Sequence, residues 1–344
     1  MTSPDQRLTG GVRPPAPRQS PLHDSDVVWF ALSNLALISA MWVRHGGLDH
    51  LDDASARLIA LGQLCGLYGA FAVLGQLVLI SRIPWLERRY GMDNLNHWHR
   101  WNGFVATWLL VGHAVAITLG YAWGAHIGIW SQLHNFVFHY ADVLMAMVGL
   151  AAILAVAVTS IRAARRSLRY ETWWFVHLYA YLGVALAFSH QLAVGSDFTD
   201  DALARAYWVG LYVAAALVLV GWRWIGPLAG AARHRLRVAA VIPEGPGVVT
   251  LVLSGRHLDR LPASAGQFFL LRFLQRDRWW KAHPFSLSAA PDGRSLRFTV
   301  KALGDDSQSL QAIPLGTRVL AEGPYGAFTA SRASRRKVAL IGGG

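Results

Sequence analysis

The chain is poor in cysteine, lysine and charge. Cys65 is alone among 344 residues, Lys281, Lys301 and Lys337 are the three lysines, and charged side chains make up 15% of the sequence, against about 25% in an ordinary soluble domain. A single cysteine excludes an internal disulfide, an iron–sulfur cluster held by cysteines and the C-x-x-C-H attachment of a c-type haem. With 53% hydrophobic residues, the scarcity of charge also excludes a disordered or collagen-like chain. What is plentiful is tryptophan, fifteen residues, and arginine, so that the formal net charge is +12. A nucleic-acid binder would spread such charge over a soluble face. A weakly charged, tryptophan-rich chain points instead to a protein partnered by membrane lipid through basic loops, with no nucleic-acid partner.

Residues 1–26 hold five prolines between Pro4 and Pro21 and no apolar core. They read as a disordered cytoplasmic tail and not as a signal peptide. Six apolar segments follow: Val27–Val43, Leu58–Ile80, Gly103–Trp123, Val143–Ile161, Trp173–Leu192 and Ala206–Trp222. Each is near the ~20 residues that carry a helix across ~30 Å of hydrocarbon. The loop after the first segment carries Asp49, Asp52 and Asp53, the loop 124–140 has no Lys or Arg, and the loop 195–204 carries Asp197, Asp200 and Asp201. Arginines fill the alternate loops: Arg82, Arg88, Arg89 and Arg100, then Arg162, Arg165, Arg166 and Arg169, then Arg223, Arg233, Arg235 and Arg237. The positive-inside bias therefore predicts a multi-pass cell-membrane protein with both termini in the cytoplasm. A soluble helical core is disfavoured because six such segments leave almost no polar helix faces to meet water.

The pattern changes near His234. Short alternating or β-rich runs at Leu236–Ile242, Val248–Leu253, Gln267–Phe273, Leu296–Ala302 and Arg318–Glu322 are separated by Gly, Pro and Asp. The expected fold is therefore a membrane bundle of six transmembrane helices over 27–226, then a cytoplasmic antiparallel β-barrel over 233–336. Residues 337–344, Lys-Val-Ala-Leu-Ile-Gly-Gly-Gly, read as the first strand and glycine turn of a βαβ nucleotide-binding unit that stops there.

Of fourteen histidines, most fall in tails, loops or the soluble part. Four fall at or in apolar segments: His99 and His113 at the third, His177 and His190 in the fifth. An ionisable residue inside a bilayer is costly without a partner and is a functional hypothesis by default, although an interhelical hydrogen bond is the simpler reading of any one. Separations of 14 and 13 residues correspond to about 21 Å and about 19.5 Å of helix. Both segments run from inside to outside, so His99 lies level with His177 and His113 with His190. Two levels with one imidazole from each helix suit two stacked bis-histidine haems, whereas zinc would gather its ligands in one sphere. The helical phase fits imperfectly: 14 residues return within ~40° of one face, but 13 end ~140° away. His97 is the rival for the first position, with a separation of 16 that places it about 160° round from His113.

The run Met92-Asp-Asn-Leu-Asn-His-Trp-His99-Arg with His113, and Glu171-Thr-Trp-Trp-Phe-Val-His177 with His190, resemble the transmembrane domain of the ferric reductase and NADPH oxidase family. The resemblance implies that His99, His113, His177 and His190 ligate the iron of two b haems. Downstream, His283-Pro-Phe-Ser-Leu-Ser288 offers an aromatic ring and a flat proline for an isoalloxazine, with a hydroxyl near its N5, though an ordinary strand with a buried Phe285 is the simpler reading. Lys301-Ala-Leu-Gly-Asp-Asp-Ser-Gln-Ser-Leu310 offers a cation, a glycine turn and Ser307 at an expected helix start, a setting suited to pyrophosphate. Gly323-Pro-Tyr-Gly326 then makes a tight turn. This order resembles the FAD-binding domain of the ferredoxin-reductase family in its NADPH-oxidase variant. By that resemblance His283, Pro284, Phe285 and Ser286 contact the flavin, while Lys301, Gly304 and Ser307 contact its phosphates. The family carries a nicotinamide-binding lobe after the flavin domain, of which the sequence supplies Val338–Gly344 alone. The chain then is either a piece of a longer protein or is served by an electron-donor partner.

The expected activity is a membrane flavocytochrome b oxidoreductase. Electrons from NAD(P)H in the complete protein would pass by FAD and the two haems to an outer acceptor, O₂ or chelated Fe³⁺. Histidine at both axial positions leaves no open iron site, so the acceptor is reduced at the haem edge. A second reading is a haem-binding electron-transfer subunit serving a separate reductase or a quinone pool, against which the flavin motif argues. A transporter with incidental histidines is a third, against which the paired levels argue.

Overall fold

The computed structural model describes residues 24–49, 51–195, 201–276, 278–326 and 328–329. Most of the expected tail, the 338–344 turn, Asp197 and Asp200 lie outside the described residues; residues 24–26, expected in the tail, already belong to the first helix. The chain divides into two compact units, one made of Leu22–Arg82 and Asn94–Val220, the other containing Ile83–Asp93 and Gly221–Gly344.

In the first unit the long helices are α1 (Asp24–Arg44), α2 (Ala54–Ile80), α4 (Met92–Gly124), α6 (Val143–Ser160), α8 (Tyr170–Val194) and α9 (Ala202–Val220). Shorter pieces, α3 (Pro84–Tyr90), α5 (Ile129–His139) and α7 (Arg162–Ser167), fall in the connections, α3 belonging to the second unit. Local chemistry sets several ends. Asp53 caps α2, accepting a hydrogen bond from the Ala56 N–H at 2.7 Å. Asp201 caps α9 through the Leu203 N–H at 2.7 Å. Pro84 opens α3, and Gly91, at φ +80°, closes it.

Among the described residues, five helical stretches are long and apolar enough to cross a membrane: those beginning in α1, α2, α4, α6 and α9. Between 11% and 22% of each apolar window is buried inside the protein, so most of this apolar surface needs lipid to cover it. These stretches match five of the six expected spans. The fifth apolar segment does form α8, 25 residues long, but its tryptophans, tyrosines, histidines and Glu171 dilute its apolar character. At 1.5 Å per residue α8 is still about 37 Å long. The third span starts in Met92, eleven residues before the expected Gly103, so His99 lies within a continuous helix.

The second unit continues from a π-helical turn, Gly221–Ile225, into α10 (Gly226–His234) and six strands: β1 (Arg237–Gly245), β2 (Val248–Ser254), β3 (Phe268–Phe273), β4 (His283–Ser286), β5 (Ser295–Lys301) and β6 (Val319–Tyr325). They form two three-stranded antiparallel sheets, ordered β1-β2-β5 and β4-β3-β6. The expected barrel is thus corrected to two facing sheets. Among the described residues the edges meet over short stretches: at the Arg237–Arg318 bridge, flanked by the Val238 N–H to Thr317, Gly316 N–H to Val238 and Val319 N–H to Leu236 carbonyl bonds of 3.0, 2.8 and 2.9 Å, and at the Ser288 N–H to Arg297 carbonyl bond of 2.9 Å, whereas a closed barrel needs a continuous ladder all round. Alternation holds the sheets together: Leu251, Leu253, Phe269, Leu271, Phe273 and Phe298 point inward into one core.

Candidate functional site

The four singled-out histidines come together as two facing pairs. The ring centres of His99 on α4 and His177 on α8 lie 6.1 Å apart with planes tilted by 53°. Those of His113 and His190, on the same two helices, lie 6.3 Å apart with planes tilted by 44°. A ring nitrogen stands about 1.1 Å from its ring centre, so the closest nitrogens of each pair are roughly 3.9 Å apart or more, beyond a direct hydrogen bond. The pairing is the one that helix direction predicts. α8 stays one continuous helix, and His190 meets its partner with its ring drawn back along its own helix, its Nδ1 2.5 Å from the Ala187 carbonyl.

The other nitrogens are held differently at the two levels. His113 Nδ1 donates to the Gly62 carbonyl at 2.8 Å, as His190 Nδ1 does to Ala187. A carbonyl accepts only, so Nδ1 bears the hydrogen in both rings and Nε2 keeps a free lone pair. At the other level His177 packs on Trp173, ring centres 5.0 Å apart. His99 has the Gln76 carbonyl beside it, yet the buried Nδ1 atoms of His99 and His177 make no hydrogen bond of ordinary geometry. His97 points elsewhere, against Trp101 and 3.5 Å from the Arg100 guanidinium. No three His, Cys, Asp or Glu side chains converge among the described residues, so the pairs stand as pairs.

A cleft between the two levels is lined by Ala70, Val73, Leu110, Ile153 and Val184, with Gln191 and Tyr212 at its polar side. The Tyr212 hydroxyl donates to Gln191 Oε1 at 3.1 Å. Sequence reasoning missed this pair, since neither residue belongs to a motif; the adjacency of Gln191 to His190 was its one signal.

In the second unit, strand alternation divides the His283–Ser286 motif between two faces. His283 and Phe285 are half-buried on one side, Phe285 against the core, while Pro284 and Ser286 are exposed on the other. Phe285 and Pro284 therefore do not share one flat surface. His283 lines a small cleft with Phe273, Arg278, Lys281, Asp306 and Leu310. Lys281 Nζ meets Asp306 at 2.8 Å, His283 Nε2 lies 3.8 Å from the same carboxylate, and Arg278 bonds to the Ser309 hydroxyl. The structure thus brings the motif together with the short helix α11 (Asp305–Ser309). Burial lowers the His283 pKa, against the pull of Asp306, and Lys281 and Arg278 lower it further. The hydrogen bond from Lys281 holds the Asp306 carboxyl below its usual range.

Ser307 is the third residue of α11 and not its cap. Its hydroxyl accepts from the Leu303 and Gly304 N–H groups at 2.9 and 3.1 Å and donates to the Gly304 carbonyl at 3.0 Å. Those N–H groups are therefore engaged, and Asp305 and Asp306 add negative charge to the same turn. Lys301, exposed at the end of β5, does not line the cleft; Arg278 and Lys281 are the cations that do, beside the His283 ring.

A family model described as "Ferric reductase like transmembrane component" matches residues 65–188, and an "FAD-binding domain" model matches 235–329. The first match contains His99, His113 and His177 and ends two residues before His190. No curated protein matches the chain. Among solved structures, the cytochrome b5 reductase domain of Ulva prolifera nitrate reductase is 19% identical, with TM-score 0.25, covering 29% of this chain and 42% of that one. Flavohemoglobin from Malassezia yamatoensis with bound FAD and heme is 13% identical, with TM-score 0.30, covering 78% of this chain and 64% of that one. The chain thus spans less than two thirds of either structure, and at these scores neither likeness bears on the fold.

Proposed function

Starting from the premise that a ferric reductase-like transmembrane domain followed by an FAD-binding domain is the architecture of the ferric reductase and NADPH oxidase family, we propose that this membrane flavin oxidoreductase moves electrons outward from cytoplasmic NAD(P)H through two b haems. The observation that carries the reading is the spacing of the histidine pairs. Two metal–imidazole bonds of about 2.0 Å, each extended by about 1.1 Å to the ring centre, span about 6.2 Å, and the pairs measure 6.1 and 6.3 Å. The free Nε2 lone pairs of His113 and His190 suit ligation. His99 with His177 would hold the inner haem, and His113 with His190 the outer one.

When bound, FAD takes a hydride from a nicotinamide nucleotide and gives electrons up singly, and haem carries them one at a time. The chain's own residues orient and insulate these groups. Gly62 and Ala187 carbonyls fix the outer imidazoles in one tautomer, and Val73, Leu110, Ile153 and Val184 give the space between the levels a mainly apolar wall. In the second unit, Pro284 and Ser286 present the exposed face of β4 to a flavin. Arg278 and Lys281, beside the His283 ring, offer its phosphates a cationic seat that Ser307, committed to its own turn, does not. The basic loops support a cytoplasmic flavin side, and O₂ or an Fe³⁺ chelate would be reduced outside.

Sidedness tests the reading. In vesicles holding the haem- and FAD-loaded chain, reducing the flavin on the arginine-rich side should yield superoxide or Fe²⁺ on the other side, and His113→Ala should abolish that yield. Product on the flavin side alone, or undiminished transfer in His113→Ala, would overturn it.

A further inference from the structure

We infer that Gly62 and Gly66 of α2 are positioning residues for the outer ligand His113, one orienting its imidazole and the other leaving the room the ring occupies. The inference rests on the proposed haem-carrying function and deepens it. Three glycines of α2, Gly62, Gly66 and Gly69, fall at i, i+4 and i+7, one face of a helix. That face receives α4. A Cβ at Gly62 would stand 2.7 Å from Ile117 Cγ1 and 3.0 Å from the Ile117 backbone nitrogen, and a Cβ at Gly69 would stand 3.0 Å from Leu110. Between them, a Cβ at Gly66 would stand 2.6 Å from His113 Nδ1, 3.0 Å from Cε1 and 3.2 Å from Cγ.

Those distances are shorter than van der Waals contact, and the obstructed group is a planar ring. The ring is also pinned, because its Nδ1–H donates to the Gly62 carbonyl one turn away at 2.8 Å. The two glycines therefore act on one imidazole from one helix face: the carbonyl sets its tautomer and rotation, and the missing side chain sets how far it sits from α2. Hydrogen bonding of a ligand's second nitrogen raises its basicity and is among the protein's levers on a metal's potential. A side chain at 66 must turn or withdraw the ring, and both changes reach the iron that His113 would hold.

The test uses the full chain, purified with haem from Gly66→Ala, Gly66→Val and, as control, Gly210→Ala, where a Cβ meets nothing within 4 Å. The readouts are haem per chain, the low-spin electron paramagnetic resonance signals of the two haems, and their midpoint potentials. We expect Gly66→Val to lose about half its haem, keeping one signal unchanged, and Gly66→Ala to keep both haems with one signal and one potential shifted. Gly210→Ala should match the unsubstituted chain. Two haems with unshifted signals and potentials in both Gly66 variants would overturn the inference while leaving the proposed function intact. An unsubstituted chain that takes up no haem would overturn both. Should Gly66→Val fail to fold, Gly66→Ala decides alone.

Discussion

At the scale of single residues, the histidines separate by what holds their second nitrogen. His113 and His190 lean on carbonyls, whereas among the described residues the buried Nδ1 of His99 and of His177 makes no hydrogen bond of ordinary geometry. The sequence made the four legible, because a histidine among apolar residues needs a partner and the spacing along two parallel helices supplied one. It did not make Gly62 or Gly66 legible, since a carbonyl or an absent side chain leaves no motif. Outside the membrane segments, His283 yields a test of sign. Its folded pKa lies below 6.5 because burial disfavours the imidazolium. The unfolded chain then binds the extra proton first, so stability is lost as pH falls below about 6.5 and is retained above it. The thermal midpoint of the FAD-binding unit should fall between pH 7 and pH 5.5, and His283→Asn should flatten that slope. An equal slope in the variant would contradict the assignment. Asp306, held low by Lys281, acts only in a more acidic window, below its usual carboxylate pKa.

At the scale of elements, each histidine-bearing helix is backed by another through glycine. α4 lies on the Gly62–Gly69 face of α2, and α8 meets α6 where Gly149 and Gly183 oppose backbone to backbone. A Cβ at Gly183 would come 2.8 Å from the Gly149 carbonyl oxygen, and one at Gly149 would come 2.7 Å from that of Gly183. Close small-residue crossings of this kind drive helix association in lipid, where no hydrophobic force does so. Gly183 lies between His177 and His190, so Gly183→Val should spread both pairs. We expect a loss of about 1–3 kcal/mol from overpacking together with loss of both haems, read by thermal unfolding and haem content. Wild-type stability with full haem would show that the crossing is not tight. Element identity was legible wherever apolar runs were long. α3, α5, α7 and α10 were not, being short and polar enough to read as loop. The barrel failed for a different reason: strand existence is written in local alternation, but closure depends on whether distant edges such as Arg237 and Arg318 extend one bridge into a ladder.

At the scale of the whole molecule, the net charge of +12 falls largely in alternate loops and in the FAD-binding unit, which sets the proposed direction of electron flow. The domain order matches that of membrane reductases and oxidases, and the distinctive claim is that one chain carries two haem levels on α4 and α8. The most direct test is haem stoichiometry with a redox-resolved spectrum on the purified full chain, unsubstituted and as His99→Ala and His190→Ala. The account predicts two six-coordinate low-spin b haems per chain, with each variant losing a different one. A single haem per chain, or two haems unaffected by either substitution, would contradict it.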